Sequence, residues 1–246
     1  MNKIPGEFLA LKIGETSVGE NLRRSIEAGR LVEDENGTLT LAADPRRNDN
    51  WLYVSRGPAL GCRFLMDFMF HHAYAEAAVP SGCGGCYKVK VVTRTLRELV
   101  AAWEIGKRVN CSSKWGTDLS NPYSQSVYAG YFYVTGLDAA RALFKIVRQA
   151  FDKHPKLGPA IQMTIKRGCS EYEAVLGPSD RYAFTSEMAE LEADLKTRFQ
   201  PRKAEHQPSM VVAQWIETAF RIGDDTYLDF TGGKPLRKKT MTYDSE

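Results

Sequence analysis

The sequence predicts an α+β fold in which an antiparallel sheet carries two helices on one face. Three observations predict it. Short runs rich in β-branched and aromatic residues alternate apolar with polar. Two stretches between them carry helical stripes. The order through residues 86–169 is strand, helix, strand, strand, helix, strand.

The elements follow in chain order. Ser17 and Glu20 have capping-box spacing, and Leu22, Ile26 and Leu31 continue a helix. "LVEDENGTLTLA" reads as a hairpin with Asn36 and Gly37 in its turn. A polar loop (44–50) leads to a short strand in "NWLYV". Cys62 to Val79 is apolar on more than one side and reads as a buried helix, ended by Pro80, Ser81 and Gly82. "CYKVKVV" alternates Tyr87, Val89 and Val91 with Lys88 and Lys90, the pattern of a half-buried strand. Thr95 and Glu98 cap a helix striped by Leu96, Leu99, Val100 and Trp103.

"CSSKWGTDL" supplies a second strand, "SNPYSQ" a turn and "VYAGYFYVTG" a third strand. A helix from Asp138 is striped by Ala140, Leu143, Phe144, Val147 and Phe151. "AIQMTIKRGC" is the fourth strand, with Ile161, Met163 and Ile165 inward. Beyond it come a short helix and loop, an exposed helix in "TSEMAELEADLKTRF", a polar linker and an amphipathic helix that buries Val211, Val212, Trp215, Ile216, Ala219 and Phe220. "TYLDFTGG" reads as a strand, and a frayed tail follows. The β-α-β-β-α-β order is the ferredoxin-like pattern, with spatial strand order 4-1-3-2. The resemblance is one of topology only. The expected organisation is an N-terminal helix, hairpin and buried helix over 1–80, the ferredoxin-like core with its cysteines over 81–175, and a helical extension over 176–246.

Composition narrows the function. The 246 residues are 43% apolar and 26% charged, within the ordinary globular range. No apolar run reaches the roughly 18 residues of a membrane span, and the first residues lack the pattern of a secretory signal, so a cytoplasmic protein is expected. Five cysteines, an odd count, argue against a disulfide framework and leave metal binding, catalysis or burial. A net charge of +3 neither demands nor excludes an anionic partner.

The strand order puts the cysteines to use. With strand one upward, Cys86 starts it at the bottom and Cys83 lies in the Gly-rich loop just below. Cys111 begins strand two at the bottom, and Cys169 ends strand four there. Four thiols thus meet at one edge of the sheet. Cys62 is separated by a helix of about 25 Å and stays in reserve as a buried apolar residue, unless the helix breaks near His71 and His72. Structural zinc favours paired knuckles, whereas iron–sulfur clusters take scattered thiolates and Gly-rich loops. The expectation is therefore a [4Fe–4S] cluster on Cys83, Cys86, Cys111 and Cys169, serving redox or small-molecule chemistry with a small molecule or a redox protein as partner.

Asp67 and His71, at i and i+4, and Lys166 beside Cys169 are acid–base candidates. Two alternatives stand beside this reading. One is a zinc-stabilised nucleic-acid module using the sheet face that carries Lys88, Lys90, Gln162, Thr164 and Lys166, with either Tyr128 and Phe132 or Tyr131 and Tyr133. The other is a metal-free interaction domain.

Overall fold

The computed structural model describes residues 4–42, 50–56, 61–117, 126–201 and 207–236. Local rules hold well at its start. Helix α1 (Gly6–Ala10) precedes a two-residue hairpin of β1 (Lys12–Ile13) and β2 (Thr16–Ser17). Ser17 accepts a hydrogen bond from the Glu20 N–H at 3.2 Å and caps α2 (Val18–Glu27). Strands β3 (Leu31–Glu33) and β4 (Leu39–Leu41) form the expected hairpin, with Gly37 at φ 79° and the Asp34 carboxylate accepting from the Asn36 and Thr38 N–H groups.

Strand β5 (Trp51–Val54) leads to the largest departure. Residues Arg63–Ala73 form a π-helix, and it stops well short of Val79. Ala75 and Glu76 have φ of 47° and 65°, a left-handed conformation that cannot continue a right-handed helix. The chain reverses there, and the expected terminators form a separate 3₁₀ turn, Ser81–Cys83.

The main sheet is built from β6 (Cys86–Thr93), β7 (Ser113–Thr117), β8 (Tyr128–Thr135) and β9 (Gln162–Arg167), with β5 added at one edge. Its order is β5-β7-β8-β6-β9, and every neighbouring pair is antiparallel. The sheet therefore has five strands where four are expected. Strand β5 caps β7 because Leu52 opposes Trp115 and joins the same core.

Helices α3 (Leu96–Arg108) and α4 (Leu137–Asp152) pack on one face over Val89, Val91, Trp115 and Phe132. Thr95 caps α3 through the Glu98 N–H at 3.2 Å, as its spacing predicts. Trp115 fills space left by two glycines. A Cβ on Gly130 would lie 2.1 Å from its ring, and one on Gly106 2.5 Å from Nε1.

After β9 come α5 (Ser170–Leu176), a 3₁₀ turn at Ser179–Arg181, α6 (Ser186–Arg198) and α7 (Pro208–Ile222). The reading of α6 as exposed needs correction. Met188, Leu191 and Leu195 are buried in a second core with Leu22, Leu31, Leu39, Phe64 and Phe68, and Glu192 on the same stripe is buried with them. In α7, Val211, Trp215 and Ala219 are buried as expected, but Phe220 is 39% exposed against Tyr227.

The segment read as a strand near Tyr227 is a 3₁₀ helix, Asp225–Phe230. Asp224 holds it there, accepting from the Thr226 N–H (3.0 Å), the Leu96 N–H (2.6 Å) and the Tyr128 hydroxyl (2.7 Å). The turn expected at 120–125 lies outside the described residues, as do most of the 44–50 loop and of the linker after Gln200, and the tail beyond Leu236. No helix among the described residues is long and apolar enough to cross a membrane.

Candidate functional site

Pairing of β6 with β9 brings two distant thiols to one end of the sheet. Tyr87 opposes Arg167, and the Gly168 N–H donates to the Cys86 carbonyl at 3.0 Å. Gly168 has φ 67°, which turns the chain so that Cys169 caps α5. The Lys88 ammonium donates to Cys169 Sγ at 2.9 Å. Cys83 is buried in its turn, its Sγ 3.3 Å from the Tyr172 hydroxyl.

The Gly-rich loop is anchored from two sides. The buried Glu192 carboxylate accepts from the Tyr74 hydroxyl at 2.8 Å, the Ser81 N–H at 2.5 Å and the Gly82 N–H at 2.8 Å. Arg167 donates to the Gly84 carbonyl through Nε and a terminal nitrogen (3.1 and 2.8 Å), and to the Ser179 carbonyl at 3.1 Å. The loop has no room for larger residues at two positions: a Cβ on Gly82 would meet Leu65 at 2.8 Å, and one on Gly84 would meet the Phe184 ring at 3.2 Å.

Cys62, held in reserve on distance, joins this region. The helix ends at Ala73 and the backbone turns left-handed at Ala75 and Glu76, so no unbroken helix runs from Cys62 to the Gly-rich loop. Cys62 is open to solvent at its residue surface, yet protein surrounds it closely enough that burial raises its thiol pKa, with the charge of Cys169 adding to the rise and Lys88 and Lys114 opposing it. Burial likewise drives Cys83 well up; the Tyr172 hydrogen bond opposes this, while Cys169, Cys86 and Cys62 add to it. Burial pushes Cys86 up to about 11, offset by Lys88 and reinforced by Cys169 and Cys62. Cys62, Cys83 and Cys86 thus each feel the charge of Cys169, which adds to the effect of burial on them.

Cys111 is placed elsewhere. It is 8% exposed and belongs to the core between sheet and helices with Leu99, Ile105 and Trp115. Its Sγ donates to the Tyr133 carbonyl at 3.1 Å, and burial alone raises its pKa, with no other thiol contributing. The expectation that it starts strand two at the sheet edge is wrong by two residues. Strand β7 begins at Ser113, and Cys111 shares the parity of Ser113 and Trp115, which face the helices.

The acid–base candidates are also redistributed. His71 Nδ1 lies 2.7 Å from Glu76 Oε1, a partner the Asp67 spacing does not foresee. Asp67 contributes to the charge felt by Cys62. Lys166 is half-buried and ion-paired with Glu173. His72, beside Ser25, is pushed down to about 4 by burial and by the charge of Arg30.

The sheet face opposite the helices carries Lys88 and Lys90 with Tyr133 and Tyr131 directly across from them, so the second of the two aromatic registers is the observed one. Lys114 on β7 opposes Tyr131 on one side and Tyr53 on the other. Its ammonium lies 4.4 Å from the Trp51 ring centre and 5.3 Å from that of Tyr131. Burial and the charge of Lys88 lower its pKa. Lys114, Trp51, Tyr172 and Glu192 were not foreseen. Only Glu192 left a usable signal, because it falls on the helical stripe of Met188, Leu191 and Leu195.

Among the described residues, no three His, Cys, Asp or Glu side chains converge tightly enough to hold a single metal ion. No protein-family model matches the chain, and neither curated proteins nor solved structures supply a relative.

Proposed function

We propose that this chain holds an iron–sulfur cluster of the [4Fe–4S] type on Cys62, Cys83, Cys86 and Cys169, for redox or small-molecule chemistry. The observation that carries the reading is the pairing of β6 with β9, which sets Cys86 beside the segment of Cys169 with the Lys88 ammonium on the Cys169 sulfur. A zinc ion at 2.3 Å from each of four thiolates requires sulfurs about 3.8 Å apart. A cluster interposes its own iron and sulfide and takes thiolates that stand wider.

The donor set fits the group. Lys88 offsets anionic charge, and the Tyr172 hydroxyl is a hydrogen-bond donor of the kind that tunes such clusters. When bound, the cluster supplies electron transfer, or Lewis acidity at an iron left open. Glu192 and Arg167 keep Cys83 and Cys86 in position, while Tyr172 and the apolar residues Met66, Phe70 and Val79 keep water from Cys83. Five unpaired cysteines support a reducing, cytoplasmic setting. The strand order β9-β6-β8-β7 with α3 and α4 on one face supports a ferredoxin-like core extended by β5.

Anaerobic purification followed by metal and sulfide analysis tests the proposal. A brown protein with about four iron and four acid-labile sulfide per chain is the expected result. A colourless protein with one zinc, or with no metal after reconstitution with iron and sulfide, contradicts it.

A further inference from the structure

We propose that the sheet face beside the thiols binds the oxyanion of a small molecule, a phosphate or a carboxylate, on the Lys114 ammonium. The inference stands on the lysines and the aromatic rings and does not require a cluster.

Lys114 and Lys88 have no carboxylate partner within salt-bridge distance among the described residues, although Lys88 is buried in the sheet face and Lys114 half-buried beside it. The two ammonium groups approach one ring, Tyr131, at 5.3 and 5.9 Å from its centre. Lys88 has a hydrogen-bond acceptor in Cys169. Among the described residues, Lys114 meets the faces of Trp51 and Tyr131, and the charge of Glu171 reaches it. Aromatic faces hold a cation in place, but they do not cancel the repulsion of a second cation on the same ring. An oxyanion between the two supplies the missing charge and accepts their hydrogen bonds.

The burial favours a small ligand over a nucleic-acid strand. Lys88 is only 6% exposed, and Lys166 is neutralised by Glu173. A phosphate backbone crossing this face would find Lys90 as its accessible cation, whereas a small anion needs only the Lys114 ammonium.

Calorimetric titration of the anaerobically prepared protein with inorganic phosphate, and separately with acetate, at fixed ionic strength tests the proposal. Saturable binding of at least one ion is expected, weakened about tenfold or more by Lys114→Gln, retained in Lys114→Arg and unaffected by Lys145→Gln on the remote surface of α4. Preference for phosphate identifies a phosphate-bearing ligand, and preference for acetate a carboxylate. Absence of saturable binding by either ion overturns the proposal, as does binding indifferent to Lys114→Gln. If that variant does not fold, tryptophan emission of the wild type reads the site: the anion should change it, and Trp51→Phe should abolish the change. A change that persists in Trp51→Phe overturns the proposal. So does binding of a single-stranded oligonucleotide that is lost on Lys90→Gln and kept in Lys114→Gln. A protein that binds phosphate but takes up no iron retains this inference and loses the cluster.

Discussion

At the residue scale, side-chain parity decides on which side of the sheet a thiol lies. That Cys86 and Cys169 share one end of the sheet was legible because they flank strands whose alternation is plain in the sequence. Cys111 was not, because a strand start displaced by two residues turns its side chain into the helix-side core. His72 gives a test that is independent of metal. Its folded-state pKa of about 4 lies below the usual histidine value, near 6.5 in the unfolded chain. The unfolded chain therefore takes up the proton first, so the stability present above pH ~6.5 is lost as pH falls towards 4. Urea unfolding at pH 7 and pH 5 should show a loss larger by about 1 kcal/mol in the wild type than in His72→Gln, the ring's solvent access keeping the effect small. Gly130→Ala is a sharper change. Its Cβ would enter the Trp115 ring, and a loss of about 1–3 kcal/mol is expected in the same assay.

At the scale of elements, capping and alternation were readable and helix type was not. Ser17 and Thr95 cap the helices that their spacing predicts. The stretch after Cys62 has the apolar content of any buried helix, and nothing in composition distinguishes a π-helix ending at Ala73 from an α-helix running to Val79. The 3₁₀ helix at Asp225–Phe230 was misread as a strand because its cause is tertiary: Asp224 is bound to Leu96 and Tyr128, residues about a hundred positions away. Helix α6 acts on the site through one residue. Glu192→Ala leaves the Ser81 and Gly82 N–H groups and the Tyr74 hydroxyl without their acceptor, at an expected cost of about 2–4 kcal/mol. Denaturant unfolding measures the cost. Amide exchange at Ser81 and Gly82 should accelerate in Glu192→Gln, which keeps the shape and loses the charge.

Over the whole molecule, the strand order does what no local motif can, placing Cys86 beside the segment that carries Cys169, more than eighty positions away. The edge strand β5 was expected as a short strand without a place in the sheet, because four residues beside a polar loop carry little pattern, yet it packs against α7. Trp215 is fully buried against Trp103, and its Nε1 donates to the Asn50 carbonyl at 2.8 Å. Trp215→Ala should therefore destabilise the protein by about 3–5 kcal/mol, measured by thermal or urea unfolding.

Exchange of single cysteines reads the centre of this structure most directly. Iron and sulfide are to be counted in anaerobically reconstituted wild type, Cys62→Ser and Cys111→Ser. The wild type and Cys111→Ser should each carry a full complement, and Cys62→Ser should lose iron. A full complement in Cys62→Ser with loss in Cys111→Ser, or no iron in any of the three, would contradict the assignment.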